Sequence, residues 1–345
     1  MNVGPDFIRA RTARHRRLAE IGDGGAERLA GARVAVVGAG GLGSTVIPYL
    51  AAAGVGRIDV FDDDVVEVSN LNRQILHSVE SIGQPKIDSA IAAGARIAPE
   101  VEVVGHRLRL GDNFAEVVGA VRPDVVVDGS DSFETRFVVD TGAAELGVPV
   151  VFGALMQWSA QITVFDAAGN YGPAVRLTDV FPDTAEVRAT PGCAEMGILG
   201  SVAGMVGTML ATETIKLLVG AGRNLVGRMV VVDALDMQIT EIPLAELDRE
   251  EHPSIPAVTF DGLENVVVVD VRRDDEVTDV PAPIPTVHIP FDQLDQAELE
   301  PGCRIVTLCR TGPRSIRAAQ QLAAAGHSVV GYLDGGVEAL QSEAT

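Results

Sequence analysis

Disulfide staples, long membrane-spanning runs and a basic surface are all missing from this sequence. Three cysteines in 345 residues cannot build a stabilising disulfide framework, so the fold must stand on its core. Their scarcity points to a reducing cytoplasm and leaves each thiol open to chemistry. No stretch reaches the eighteen or so uninterrupted apolar residues of a membrane span. The nearest, residues 197–212, is rich in Gly, Ser and Thr and reads as a buried helix. The formal charge of −21 excludes nucleic acid and anionic membrane surfaces as partners, because both require a basic footprint. Phosphate ligands stay open, since a few local groups suffice to hold them. Arg9, Arg11, Arg14, Arg16 and Arg17 crowd the N-terminus, yet no apolar segment follows them, which argues against a targeting peptide.

What is present is apolar residue in quantity, 47% of the chain, and length enough for two domains. Residues 1–30 read as basic helix ending in a Gly22–Gly25 turn. Arg33 to Val37, Arg57 to Asp62, Val101 to Leu110, Asp124 to Asp128 and Val148 to Phe152 read as strands separated by helical stretches such as Ser44 to Ala53. That alternation predicts a Rossmann-like, doubly wound α/β sheet. Gln161 to Asp166 and Arg228 to Leu235 are expected as antiparallel additions, and Ala194 to Val219 as a long helix. The charged, proline-bearing stretch from Glu241 to Pro256 holds the linker, set at 246–255 between domains 1–245 and 256–345. A smaller α/β cycle follows, with strands Val266 to Val271, Arg304 to Leu308 and Ser328 to Leu333 and a helix Ser315 to Ala325.

Gly38-Ala39-Gly40-Gly41-Leu42-Gly43 ends the first strand and opens a helix. Glycines there let the backbone approach a phosphate, and the helix N-terminus supplies free N–H groups and partial positive charge. Asp62 closes the next strand, where a ribose hydroxyl is expected. By themselves these features suit an NAD-dependent oxidoreductase equally well. Arg73 and Lys86 alter that balance, because two cations beyond the ribose carboxylate suit a departing pyrophosphate rather than a nicotinamide. Asp128-Gly129-Ser130-Asp131 ends a further strand at the carboxyl edge. Its carboxylates match the oxygen preference of magnesium, with Asp131 the expected ligand and Asp128 structural.

From Arg33 to Arg136 the chain resembles the adenylyltransferase family of molybdopterin synthase, thiamine thiazole biosynthesis and ubiquitin activation. The glycine loop, the run 62–74, Gly83-Gln84-Pro85-Lys86 and Asp128-Gly129-Ser130-Asp131 occur in the family's order, and the resemblance spans about 9–245. It implies ATP as substrate, Asp62 on its ribose, Asn70, Arg73 and Lys86 on its phosphates, and Asp131 on magnesium. Ser132 stands where the family commonly has Asn. The stretch Arg11 to His15 resembles a segment that enters the neighbouring subunit's site, which would make Arg14 an arginine finger in a homodimer; a solvated basic helix is the plainer reading. The family usually carries two Cys-x-x-Cys pairs for a structural zinc. Here residues 172–177 hold no cysteine, so no zinc is expected.

Cys193 precedes the long helix, where its thiol pKa can fall. In the thiamine branch a cysteine in this loop is acyl-accepting or persulfide-linked; a small buried thiol is the alternative. Cys309-Arg310-Thr311-Gly312-Pro313-Arg314 lies between a strand and a helix, placing the sulfur over backbone N–H groups with a cation nearby. This loop, with residues 269–272, 288–290 and 333–337, resembles the rhodanese sulfurtransferases over about 256–341. Four residues separate Cys309 from Arg314, one fewer than in related phosphatases, which implies a persulfide rather than a bound phosphate. Asp270 and Arg272 are expected as a structural ion pair and Cys303 as structural. No histidine pair has metal-ligand spacing. Gln157 and Trp158 read as core, or as contacts for an incoming tail.

Together these readings imply ATP-dependent adenylation of a ubiquitin-like sulfur-carrier protein ending in Gly-Gly, followed by sulfur transfer from Cys309 to give a thiocarboxylate. Thiosulfate or a cysteine desulfurase would supply the sulfur. The rivals are a nicotinamide oxidoreductase and a carrier-binding scaffold in which only the second domain is active.

Overall fold

The computed structural model describes residues 3–188, 190, 197–244, 255–259, 265–296, 299–300, 302–310, 313–333 and 335–343. The chain divides into two compact units, Met1–Asp183 with Thr190–Leu247, and Thr184–Ala189 with Asp248–Thr345.

The first unit is built on an eight-stranded sheet. Its strands are β1 (Arg33–Val37), β2 (Arg57–Phe61), β3 (Glu102–His106), β4 (Val125–Asp128), β5 (Val150–Met156), β6 (Ser159–Phe165), β7 (Arg228–Asp233) and β8 (Gln238–Pro243). Their spatial order is β3-β2-β1-β4-β5-β6-β7-β8. The first five are parallel and the rest antiparallel. Central β1 pairs on both sides, Val36 with Val60 and with Val127, and Val34 to Val37 are buried on both faces. That is why the strand reads as an unbroken apolar run rather than an alternating one. Each such valine contributes about 1.5–3 kcal/mol of burial. Helices α1 (Pro5–Arg11), α2 (Ala13–Arg16), α3 (Gly22–Gly31), α4 (Gly43–Ala53), α5 (Lys86–Ile97), α6 (Phe114–Val121) and α7 (Phe133–Leu146) complete the layers. The α4 helix stops at Gly54, whose φ of 88° gives a left-handed cap.

The helix Gly200–Val219 is long and apolar enough by composition to cross a membrane. It packs instead on α3, α4 and strands β4 to β6. A Cβ on Gly207 would collide with Thr45 Oγ1, so glycine there lets this helix and α4 come close.

Three local expectations are corrected. Gly22–Gly25 begins α3 rather than forming a turn, because Ala26 and Leu29 bury their side chains and that burial outweighs glycine's weak helix propensity. β3 ends at His106, opposite the last residue of β2, and the chain to Leu110 leaves the sheet. β8, not expected as a strand, closes the sheet within the span assigned to the first domain, and only its last three residues, Glu241 to Pro243, fall in the charged stretch that holds the linker. All six of its residues are exposed, so no burial pattern marked it, and its Pro243 is tolerated at the strand end on a sheet edge.

The second unit has five parallel strands in the order β11-β10-β12-β13-β9: β9 (Ala257–Val258), β10 (Val266–Asp270), β11 (Val287–His288), β12 (Arg304–Leu308) and β13 (Ser328–Leu333). Val269, Val271, Ile305 and Leu322 form one side of its core, Val268, Val306, Leu308 and Leu333 the other. Arg272 and Asp270 are buried together, with Arg272 Nη2 2.6 Å from Asp270 Oδ2, the structural pair expected from sequence. The helix Pro313–Ala324 follows β12.

Candidate active site

The strand order of the first unit reverses between β1 and β4, and a cavity of about 280 Å³ opens there at their carboxyl ends. Such a switch point is where doubly wound sheets hold ligands. Gly38 leaves β1 with φ at 91°, and a Cβ on it would stand 3.0 Å from the Gly129 carbonyl oxygen. A Cβ on Gly43 would run into the Gly38 carbonyl. Both positions therefore require glycine for the loop to close onto the N-terminus of α4. Asp62 organises this loop: Oδ2 accepts from Ala39 N at 2.7 Å and Oδ1 from Asp64 N at 2.9 Å.

Four cationic residues line the cavity: Arg73, Lys86, Arg109 and Arg136. Lys86 opens α5, is buried, and donates from Nζ to Asp64 Oδ2 at 2.7 Å. Arg73 donates from Nη1 to the Ser69 carbonyl at 2.9 Å and to Asn72 Oδ1 at 3.0 Å. Arg136 lies buried over the rings of Phe133 and Phe152, 5.0 and 5.1 Å from their centres, and donates to the Ser130 carbonyl at 3.2 Å. Asp131 is exposed at the rim. Ser132 caps α7, its Oγ accepting from Thr135 N at 3.3 Å. Asp128 is buried, which pushes its carboxyl up from the ordinary range, while Arg136 and Ser130 oppose that shift. Beneath the glycine loop, burial lowers the His77 pKa, and its Nε2 lies 3.0 Å from the Ala39 carbonyl.

In the second unit Cys309 follows β12 and is 1% exposed. Its carbonyl accepts from Val337 N at 2.9 Å. Gly336 packs so closely on the Cys309 and Arg310 carbonyls that no Cβ fits. The helix Pro313–Ala324 begins four residues on, so its N-terminus faces the loop. Arg314 donates from Nη1 to Glu276 Oε2 at 2.6 Å and from Nη2 to Glu276 Oε1 at 2.5 Å. That pairing holds the Glu276 carboxyl down at about 2. Cys303 is half-buried and packs against the core beside β12.

With both sites in view, the sequence matches the ThiF family over residues 12–254 and the rhodanese-like domain over residues 261–343. The chain belongs to the ThiF family. The "Probable adenylyltransferase/sulfurtransferase MoeZ" of Mycobacterium tuberculosis is 35% identical across 96% of this chain and 92% of its own. The sulfur carrier protein adenylyltransferase of Thermus thermophilus is 42% identical across 67% of this chain and 86% of its own. Among solved structures, PaaA superposes with a TM-score of 0.59 at 17% identity, covering 70% of this chain and 84% of PaaA, and shares the fold.

Membership of the ThiF family implies use of ATP, and the cavity suits a nucleotide. The glycine loop leaves backbone accessible to a phosphate, and Gln74 Oε1, buried at the wall, has no hydrogen-bond partner among the described residues. Of the site residues expected from sequence, Gly38, Gly40, Gly41, Asp62, Arg73, Lys86, Asp131 and Ser132 line this one cavity. Gly43 sits behind it in α4. Asn70 is buried off the wall, its Oδ1 accepting from Glu67 N at 3.1 Å, so it supports the segment that carries Arg73. Arg14 is exposed on α2 and does not reach the cavity of its own chain. Cys193, Thr311 and Gly312 lie outside the described residues. Arg136, Gln74 and Asp64 are wall residues that sequence reasoning did not single out. The Asn70-to-Gln74 motif offered a signal for Gln74, whereas Arg136 is brought in only by α7.

The segment that lacks the family's cysteines is held by polar contacts. Asp166 and Val175 exchange backbone hydrogen bonds, Tyr171 N donates to Asp166 Oδ2 at 2.7 Å, and Arg176 pairs with buried Asp140 at 2.7 Å. No group of three or more potential metal ligands occurs among the described residues.

Proposed function

We propose that this chain adenylates the terminal glycine of a ubiquitin-like sulfur-carrier protein ending in Gly-Gly and then converts it to a thiocarboxylate. What supports the reading most is one cavity at the sheet's switch point that gathers the glycine loop, Asp62, Arg73, Lys86 and Asp131, in a chain that also holds a Cys309 loop of rhodanese type.

Asp62 takes the ribose and the loop amides take the phosphates. A carboxylate oxygen of the carrier attacks the α-phosphorus, the bond to the bridging oxygen breaks, and pyrophosphate leaves with the electron pair. Arg73 and Lys86 balance the charge that moves onto it. Magnesium, held by Asp131 together with phosphates and water, would supply further charge neutralisation at the rim. Cys309, loaded as a persulfide by thiosulfate or a cysteine desulfurase, then attacks the acyl carbonyl through its outer sulfur and AMP departs. An external thiol reduces the resulting disulfide and frees the thiocarboxylate. Joining the two units in one chain raises the effective concentration of sulfur near the adenylate. Arg14 acts from the second subunit of a homodimer, and the cytoplasm supplies the reducing thiol.

The test is carrier-dependent ATP–pyrophosphate exchange followed by mass spectrometry of the carrier. Arg73→Ala should reduce exchange by about 100-fold or more. Cys309→Ala should keep exchange and lose the thiocarboxylate. Full thiocarboxylate yield from Cys309→Ala would overturn the sulfur step, and no exchange with any Gly-Gly-ended carrier would overturn the first.

A further inference from the structure

We infer that Gln74 is a further substrate contact of the adenylation site, its side-chain oxygen accepting the peptide N–H of the carrier's terminal glycine. The inference rests on the adenylation reading above. Gln74 is 5% exposed and lines the cavity. Its Oε1 has no hydrogen-bond partner among the described residues. Burying a carboxamide oxygen without a donor is costly, so such groups are retained where a ligand completes them.

The position is well determined. Gln74 N donates to the Asn70 carbonyl at 2.9 Å and His77 N to the Gln74 carbonyl at 3.1 Å. His77 in turn touches the Ala39 carbonyl. The carboxamide lies against the phosphate loop, since a Cβ on Gly40 would stand 3.7 Å from Gln74 Nε2. Gln74 therefore faces the reacting end of the nucleotide rather than its base.

An oxygen there needs a donor. Phosphates and the attacking carboxylate offer only acceptors, and Asp62 already faces the ribose. A peptidyl-glycine brings its own donor, an N–H one carbon from the carboxylate that must meet the α-phosphorus. Pairing that N–H with Gln74 would orient the nucleophile for in-line attack, an effect realised only when the tail is seated.

The experiment uses the full chain, ATP, and a ubiquitin-like carrier assembled by ligation with either glycine or glycolic acid as its last residue. Glycolic acid keeps the carboxylate and replaces the N–H with an ester oxygen. With the unsubstituted chain, the ester carrier should lose about tenfold in kcat/KM for pyrophosphate exchange. In Gln74→Met the glycine carrier should fall by a similar factor, and the two carriers should become equal, with the ATP dissociation constant within about twofold of the unsubstituted value. Equal rates for both carriers in the unsubstituted chain would overturn the inference, whatever the variant does. So would ATP affinity that falls in both Gln74→Met and Gln74→Asn, which would assign the oxygen to the nucleotide. No exchange by the unsubstituted chain with the glycine carrier would remove the functional reading and this inference with it.

Discussion

Replacing Arg272 with methionine should unfold the second unit at a much lower temperature while leaving the first unit unchanged. Arg272 is 1% and Asp270 0% exposed. Their contacts are Nε to Oδ1 at 2.9 Å and Nη2 to Oδ2 at 2.6 Å, and Nη1 also donates to the Val280 carbonyl at 2.7 Å. Methionine fills much of the volume but leaves a carboxylate in the core with no counter-charge. Breaking a buried pair in this way costs about 3–5 kcal/mol. A unit of this size, matched over residues 261–343, holds about 4–12 kcal/mol in all. The loss is therefore about a quarter or more of its stability and lowers its melting temperature by roughly 12 °C or more. Differential scanning calorimetry would show the second unit's transition moving alone, with sulfurtransferase activity lost and pyrophosphate exchange kept. Adding Asp270→Asn should recover part of the loss, because the unpaired charge is gone. A shift under about 4 °C, equivalent to less than about 1 kcal/mol, would refute the argument that this pair is desolvated and mutually dependent.

Lys86→Met should behave oppositely, lowering pyrophosphate exchange about 100-fold with little change in thermal stability. The Asp64 it leaves behind is 66% exposed and returns to water, so denaturant unfolding should register less than about 1 kcal/mol. Gly43→Ala drives a Cβ into the Gly38 carbonyl; titration calorimetry should show ATP binding weakened beyond tenfold, and unfolding should show a loss of about 1–3 kcal/mol. The depressed Glu276 carboxyl contributes stability above the ordinary glutamate range that is lost as pH falls through the folded value. The second unit's melting temperature should thus drop between about pH 5 and pH 2. Glu276→Gln should flatten that drop, and a flat wild-type profile would contradict the Arg314 pairing as its cause.

Much of the candidate site was legible in the primary structure because its parts are local. A β-branched run ending in glycines, as in Val34 to Gly43, specifies strand, turn and helix start within ten residues. Arg33 to Val37, Arg304 to Leu308 and Ser328 to Leu333 have the same bounds as strands read from sequence and as strands in the fold. β8 was illegible because burial writes the alternating pattern, and β8 is exposed along its whole length.

The partners of charged side chains were also hidden. Glu276 and Arg314 lie 38 residues apart and Arg176 and Asp140 lie 36 apart, distances over which no periodicity links two residues. Sequence alone determined which elements form and which chemistry each loop can carry, since backbone geometry and apolar spacing act over a few residues. Only the tertiary structure decided that Gln74 and Arg136 stand with Asp62 and Lys86 around one cavity. Strand order, not sequence order, sets which carboxyl ends meet, and β1 lies beside β4 because a buried central strand needs a hydrogen-bonding neighbour along each of its two backbone edges.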